Sequence, residues 1–385
     1  MKLLRFILTT LIALASFFSH GAEPDFLSVT KVKDNVYNLN LNVGVVVGDE
    51  FVVLIESGYG EYNQSSQKIF DAVKSITNKP IKYVINMHGH GDHNGGNVFF
   101  AERGATIITH MNAVYNADAE ENYPKSNIIR FSDSFELDLG NEVIEIEHLI
   151  GHTYDDGIIY LKNNNLLYVG ETYNPKYLAY LGMLGMDSFQ DWGSKALAKM
   201  NQDTIVVPSH GQSMLNKKQF LDYQSNVKNW FKQVKSLYQQ GKSLEKIAGD
   251  KTALSYVKKM SLDGNPKYYD GFYKIRLERL IRFSLNQPYQ LSQQQLHEYV
   301  GIYHLNNKIN IEVLIQSGRL MAKQKSSFIS WLKPIGKDRF ESMTRNGEII
   351  IFKRDAKGNI SSITANSIKE TRYHEKLTGT WNKIN

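Results

Sequence analysis

The first half of the chain alternates short, β-branched apolar runs with stretches of helical period. The runs Asn35-Val36-Tyr37-Asn38-Leu39, Phe51-Val52-Val53-Leu54-Ile55, Ile81-Lys82-Tyr83-Val84-Ile85, Val143 to Ile150, Asn165 to Val169 and Thr204 to Val207 have the length and composition of strands. Between them, Asn63 to Ile76 places Ile69, Phe70, Val73 and Ile76 on one helical face, and Asn97 to Arg103 begins another helix. This alternation over residues 26–215 predicts an α/β sandwich. Beyond residue 216 the strand pattern stops. Phe220, Tyr223, Val227, Trp230, Phe231, Val234 and Leu237 recur at helical spacing, the mark of a packed core stripe, and Gly241 closes that helix. Ser243 to Val257 and Tyr269 to Leu285 predict further helices, divided by the turn Asp263-Gly264-Asn265-Pro266. After Asn286-Gln287-Pro288, Leu296 to Tyr303 leads into short β runs at Ile309 to Ile315, Leu320 to Lys323, Phe340 to Met343, Ile349 to Phe352 and Ile360 to Ala365.

Composition narrows the class. At 385 residues and 42% hydrophobic, the chain is long enough for two domains or more. Residues 1–22 read as a secretory signal peptide: Lys2 and Arg5, then Phe6 to Phe18, then small residues at Ser19, Gly21 and Ala22. The expectation is a periplasmic or secreted protein with no stable membrane insertion after signal cleavage. With no cysteine, the fold must be held by its core and any metal. The formal charge of +6, or +4 without Lys2 and Arg5, comes with no dense basic cluster, so no nucleic-acid partner is expected.

The chemistry is concentrated in His88-Gly89-His90-Gly91-Asp92-His93. Imidazoles and carboxylates are the ligand set of zinc and related divalent ions. These side chains converge only if the backbone folds tightly, which Gly89 and Gly91 permit. Downstream come Gly151-His152-Thr153, Gly170-Glu171-Thr172 and Pro208-Ser209-His210-Gly211, each at the end of a strand-like run. Seven N/O ligands exceed the needs of one tetrahedral ion and suit two ions with open positions. Two ions about 3.5–4 Å apart share a water and lower its pKa toward about 7.

The order His-x-His-x-Asp-His, His, acid, His resembles the metallo-β-lactamase superfamily over residues 26–240. The resemblance implies an αβ/βα sandwich. His88, His90 and His152 would hold one metal and Asp92, His93 and His210 the other, with Glu171 bridging; Asp92 would also orient or relay a proton. Zinc is the implied metal, two per chain, with iron or manganese as alternatives. Two positions depart from the family pattern: Glu171 and Glu56 stand where aspartate is usual, and Glu56 would orient ligands from behind. Tyr299-Val300-Gly301-Ile302-Tyr303 and Phe352 to Gly358 resemble a small β domain appended to serine β-lactamase-like hydrolases. The expected organisation is therefore a catalytic domain at 26–240, a helical extension at 241–288 and a small β domain at 291–385.

Other candidates carry less. His110, His148, His297, His304 and His374 match no ligand motif, and Asp155-Asp156 reads as a turn in preference to a ligand-orienting pair. Tyr173, Tyr177, Tyr180, Phe189 and Trp192 either wall an apolar pocket or pack their loop. Lys176 is a candidate substrate cation by position alone. The reading is a metal-dependent hydrolase of a small-molecule amide, lactam, ester or lactone, using metal-bound hydroxide. An iron oxidoreductase on the same fold and a non-catalytic envelope binding protein are the alternatives.

Overall fold

The computed structural model describes residues 27–40, 43–115, 119–176, 178, 181, 185–263, 269–286, 288–305, 309–316, 318–324, 328–343, 348–367 and 379–384. The expected signal peptide, Tyr177, Tyr180 and His374 lie outside these. A seven-stranded sheet runs in chain order from Val29–Lys33 to Ile128–Phe131, and a six-stranded sheet joins Leu215–Asn216, Ile205–Val207, Leu166–Tyr168, Gly157–Leu161, Val143–His148 and Ser134–Asp138. Among the described residues, no helix is long and apolar enough to cross a membrane.

The two sheets face each other across one core. Val36, Val46, Val53, Ile55, Ile85 and Ile108 of the first sheet pack against Ile144, Ile146, Ile159, Leu161, Leu166 and Val207 of the second. The first sheet's outer face holds Ile69 and Val73 of the helix Ser65–Ile76 together with Phe100. The second sheet's outer face takes Phe189 and Trp192 of Met186–Ala198 and Phe220, Val227 and Trp230 of Lys217–Gln239. The result is the expected αβ/βα sandwich. Each large side chain buried this way contributes roughly 1.5–3 kcal/mol, so the long amphipathic helix is held by tertiary packing more than by propensity.

The helices that follow join the same core: Ile247, Val257, Met260 and Leu277 pack with Trp230. The single helix expected over Ser243 to Val257 is two, Leu244–Ala248 and Lys251–Met260. Asp250 makes the break, its carboxylate accepting from Ala253 N–H at 2.8 Å as an N-cap. Apolar period continues through the cap, so periodicity alone does not show it.

The C-terminal strands close an eight-stranded barrel from Gly301–Leu305 to Gly379–Ile384. Tyr299, Tyr303, Phe340, Phe352 and Trp381 fill it. One of its strands, Phe328–Gly336, was not evident from the sequence because it contains Pro334. The register shifts between Pro334 and Gly336, a bulge where a missing N–H is tolerated.

Candidate metal centre

Strand register sets the site. Val52–Ile55 and Ile81–Ile85 run parallel with Ile55 opposite Ile85, so Glu56 and His88 leave the same edge of the sheet. His90 precedes a one-turn helix, Gly91–Asn94, that carries Asp92 and His93. In the second sheet Tyr168 pairs with Val207 in parallel, and Glu171 and His210 each lie three residues past that pair. His152 sits in the loop between Val143–His148 and Gly157–Leu161.

These loops bring all seven predicted ligands together. One group is His88, His90 and His152; another is Asp92, His93 and His210. In the first, His152 Nε2 lies 3.0 Å from His90 Nδ1, and the His88 ring centroid lies 4.4 Å from that of His152. In the second, His93 Nε2 is 3.2 Å from His210 Nε2, and Asp92 Oδ2 is 3.4 Å from both nitrogens. Glu171 Oε1 hydrogen bonds to His210 and stands 3.4 Å from His93 Nε2. His88, His93 and His152 form the buried floor, while His90 and the partly open Asp92 face solvent.

The donor set fits metal ions. Both ring nitrogens of His88, and Nδ1 of His93, are buried without a hydrogen-bond partner. A buried polar group left this way costs about 1–3 kcal/mol, and coordination is the compensation such a ring can find here. Burial pushes His88 well below its usual pKa, reinforced by His93 and His152. Burial alone would raise Glu171, but the neighbouring His210 overrides it and holds the carboxylate well below its ordinary range. A neutral imidazole beside an ionised carboxylate is the protonation state ligation requires. His93 runs the other way: burial opposes its charge, and Asp92, with Glu171 and Glu56, outweighs burial and raises it. Ligation there must release a proton.

Behind the ligands lies a buried support. Glu56 is fully buried, with φ 65°, a left-handed conformation uncommon for a side chain of this size. Its Oε1 accepts from Met87 N–H at 3.1 Å and lies 3.6 Å from His93 Nδ1 and 3.9 Å from His88 Nδ1. Glu56, His88 and His93 themselves form a third group, each offering a ligand atom within 4.8 Å of the others. Burial raises the Glu56 pKa against the pull of His93 and the Met87 amide. Its other oxygen accepts from Asn86, which in turn accepts from Asn97, and Ser57 donates to Asn97 at 2.9 Å.

Asp156 corrects the reading of Asp155-Asp156 as only a turn. Its Oδ2 accepts from the His152 backbone N–H and lies 3.0 Å from His152 Nδ1, and its Oδ1 accepts from the Thr153 hydroxyl at 2.7 Å. The carboxylate thus fixes the ring so that Nε2 faces His90. The i+4 spacing from His152 was the available signal.

Of the aromatic residues left open between pocket wall and packing, Tyr173, Phe189 and Trp192 belong to the core beneath the second sheet. His110 and His148 stay out of the ligand set; their rings stack face to face at 3.6 Å. Lys176 N–H donates to Asn174 Oδ1, in the loop after Glu171.

Residues 37–210 match the model of the Metallo-beta-lactamase superfamily. Among solved structures, a metallo-beta-lactamase from Pontibacter korlensis is 21% identical with a TM-score of 0.44, covering 53% of this chain and 99% of that one. An inverting sec-alkylsulfatase from Pseudomonas sp. is 15% identical with a TM-score of 0.53, covering 67% of this chain and 50% of that one. This chain therefore spans about half of the alkylsulfatase. No curated protein sequence matches.

Proposed function

We propose, from the match of residues 37–210 to the Metallo-beta-lactamase superfamily model, that the protein is a secreted, metal-dependent hydrolase with a binuclear centre. It cleaves an amide, lactam, ester or lactone of a small molecule. The observation that carries this reading is the convergence of His88, His90 and His152 beside Asp92, His93 and His210, with Glu171 against the second group. Two zinc ions held by these groups would supply Lewis acidity and acidify water toward a pKa of about 7.

The chain's own residues have separable tasks. His88, His93 and His152 are buried and form the floor; Asp156 fixes the His152 ring, and the Glu56 carboxylate lies 3.9 Å behind His88 Nδ1 and 3.6 Å behind His93 Nδ1. Asp92 is a partly open carboxylate at the site, placed to orient a proton or pass it on as the substrate reacts. His90 borders the same opening, where a substrate carbonyl or ester oxygen enters. Glu171 places negative charge beside His210 and His93 and would bridge the two ions.

The test is elemental analysis of the mature chain joined to a chromogenic panel of lactams, lactones, esters and amides. A sec-alkyl sulfate belongs on the panel because the Pseudomonas relative is an alkylsulfatase. Two zinc-class ions and turnover of one panel member are expected. Stoichiometric iron with no hydrolysis would favour an oxidoreductase, and full metal loading with no turnover of any kind would favour a binding protein.

A further inference from the structure

Asp263, at the start of the turn after the helix Lys251–Met260, reaches back to the two loops that carry Glu171 and His210. Its backbone N–H donates to Pro175 O at 2.8 Å, four residues beyond Glu171. Its Oδ2 accepts from Gln212 N–H at 2.6 Å and from Ser213 N–H at 2.9 Å, and its Oδ1 accepts from the Ser213 hydroxyl. All three donors lie within three residues of His210.

The approach is close enough to dictate the residue between them. Gly211 has φ +86°, and a side-chain carbon there would sit 2.5 Å from Asp263 Oδ2 and 2.8 Å from Pro175 Cγ. Glycine alone permits both the conformation and the contact. The same region is tied twice more: the Tyr173 hydroxyl donates to Ser213 O, and the Tyr223 hydroxyl to Thr172 O.

We propose that Asp263 is a positioning residue for the Asp92/His93/His210 group, a clasp that sets the separation of the Glu171 and His210 loops. This rests on the binuclear reading above. Asp263 is exposed and adds no apolar core, and its side-chain hydrogen bonds among the described residues all go to the His210 loop. Hydrogen bonds to an ionised acceptor are roughly twice as strong as neutral ones. Without the carboxylate, the 212–213 amides turn to water and His210 loses its fixed distance from Glu171. His88, His90 and His152 stand on other loops and keep their geometry.

The experiment is a cobalt(II) and zinc titration of the full-length mature protein, followed by visible absorption and native mass spectrometry, with thermal unfolding of the chelator-treated protein alongside. Asp263→Ala should bind its first ion with unchanged affinity and its second at least tenfold more weakly, with His210→Ala as the reference for a lost second site. Asp263→Asn, which keeps an acceptor, should fall between. Both ions bound by Asp263→Ala as tightly as by the native protein would overturn the assignment. So would equal weakening of both sites with a matching loss of thermal stability, which marks a general structural role. A native protein that binds at most one ion would overturn the binuclear reading itself, and this inference with it.

Discussion

The backbone N–H of Trp331, in the C-terminal barrel, donates to the hydroxyl of Tyr154 at 2.7 Å, and Tyr154 lies two residues from His152. The contact is buried, with Phe283, Met321, Ile329 and Met343 around it. On its other side Tyr154 O accepts from Asn112 Nδ2 at 3.0 Å and faces His148 Nε2 at 3.1 Å. The barrel therefore rests on the loop that presents His152. Tyr154→Phe removes the hydroxyl, with its interaction with Ser330, and leaves the buried Trp331 N–H unpaired, a cost of about 1–3 kcal/mol. Urea unfolding should show that loss. An unchanged unfolding free energy would mean that this hydrogen bond contributes nothing to stability.

His88 is the candidate ligand with both ring nitrogens buried and unpartnered. His88→Ala should weaken the three-histidine group and lower turnover by several orders of magnitude. Native mass spectrometry after zinc addition checks the stoichiometry. Two ions bound as tightly as in the native protein would remove His88 from the ligand set.

Glu171 separates charge from length. Glu171→Gln deletes a negative charge beside His210 and His93, so the second ion should be lost first. Glu171→Asp keeps the charge on a shorter arm and should retain both ions with altered activity. Full and equal stoichiometry in Glu171→Gln, with native turnover, would end the bridging role.

The stacked pair of His110 and His148 predicts an acid-sensitive fold. Burial, helped by the neighbouring His148, pushes His110 from its ordinary value near 6.5 down to about 3. A histidine depressed in the folded state lets the unfolded chain bind more protons. Its contribution is complete above about pH 6.5 and is lost as pH falls toward 3, amounting to a few kcal/mol, on the order of 1.4 per pKa unit. Urea midpoints at pH 7.5, 5.5 and 4 should fall steadily. His110→Asn should have a shallower slope, and parallel slopes for the two proteins would reject the assignment.

Four of the seven candidate ligands stood out in the sequence because each follows a strand-like run, where a buried imidazole or carboxylate needs a partner. His88, His152, Glu171 and His210 all follow this rule. What supports them was less legible, because it comes from distant parts of the chain. Asp263 looked like one residue of a turn, and its partners are 50 and 51 positions away. Tyr173, Phe189 and Trp192 could not be placed because their surroundings depend on the second sheet's outer face, which helices beyond residue 216 complete. The strand through Pro334 was hidden by the residue that its bulge accommodates.

The pairing of Tyr168 with Val207, three residues before Glu171 and His210, makes the sheet a ruler for the site. Successive side chains on a strand point to opposite faces, so a slip of one residue would turn the whole strand over and carry its ligand away from the opening. Such a change cannot be repaired gradually. The tips past the ruler are free of this constraint, and the carboxylate of Glu171 could be longer or shorter by a methylene without disturbing a ladder bond. Substitutions at the loop ends thus leave the ladder intact, while the strands before them are held to their register.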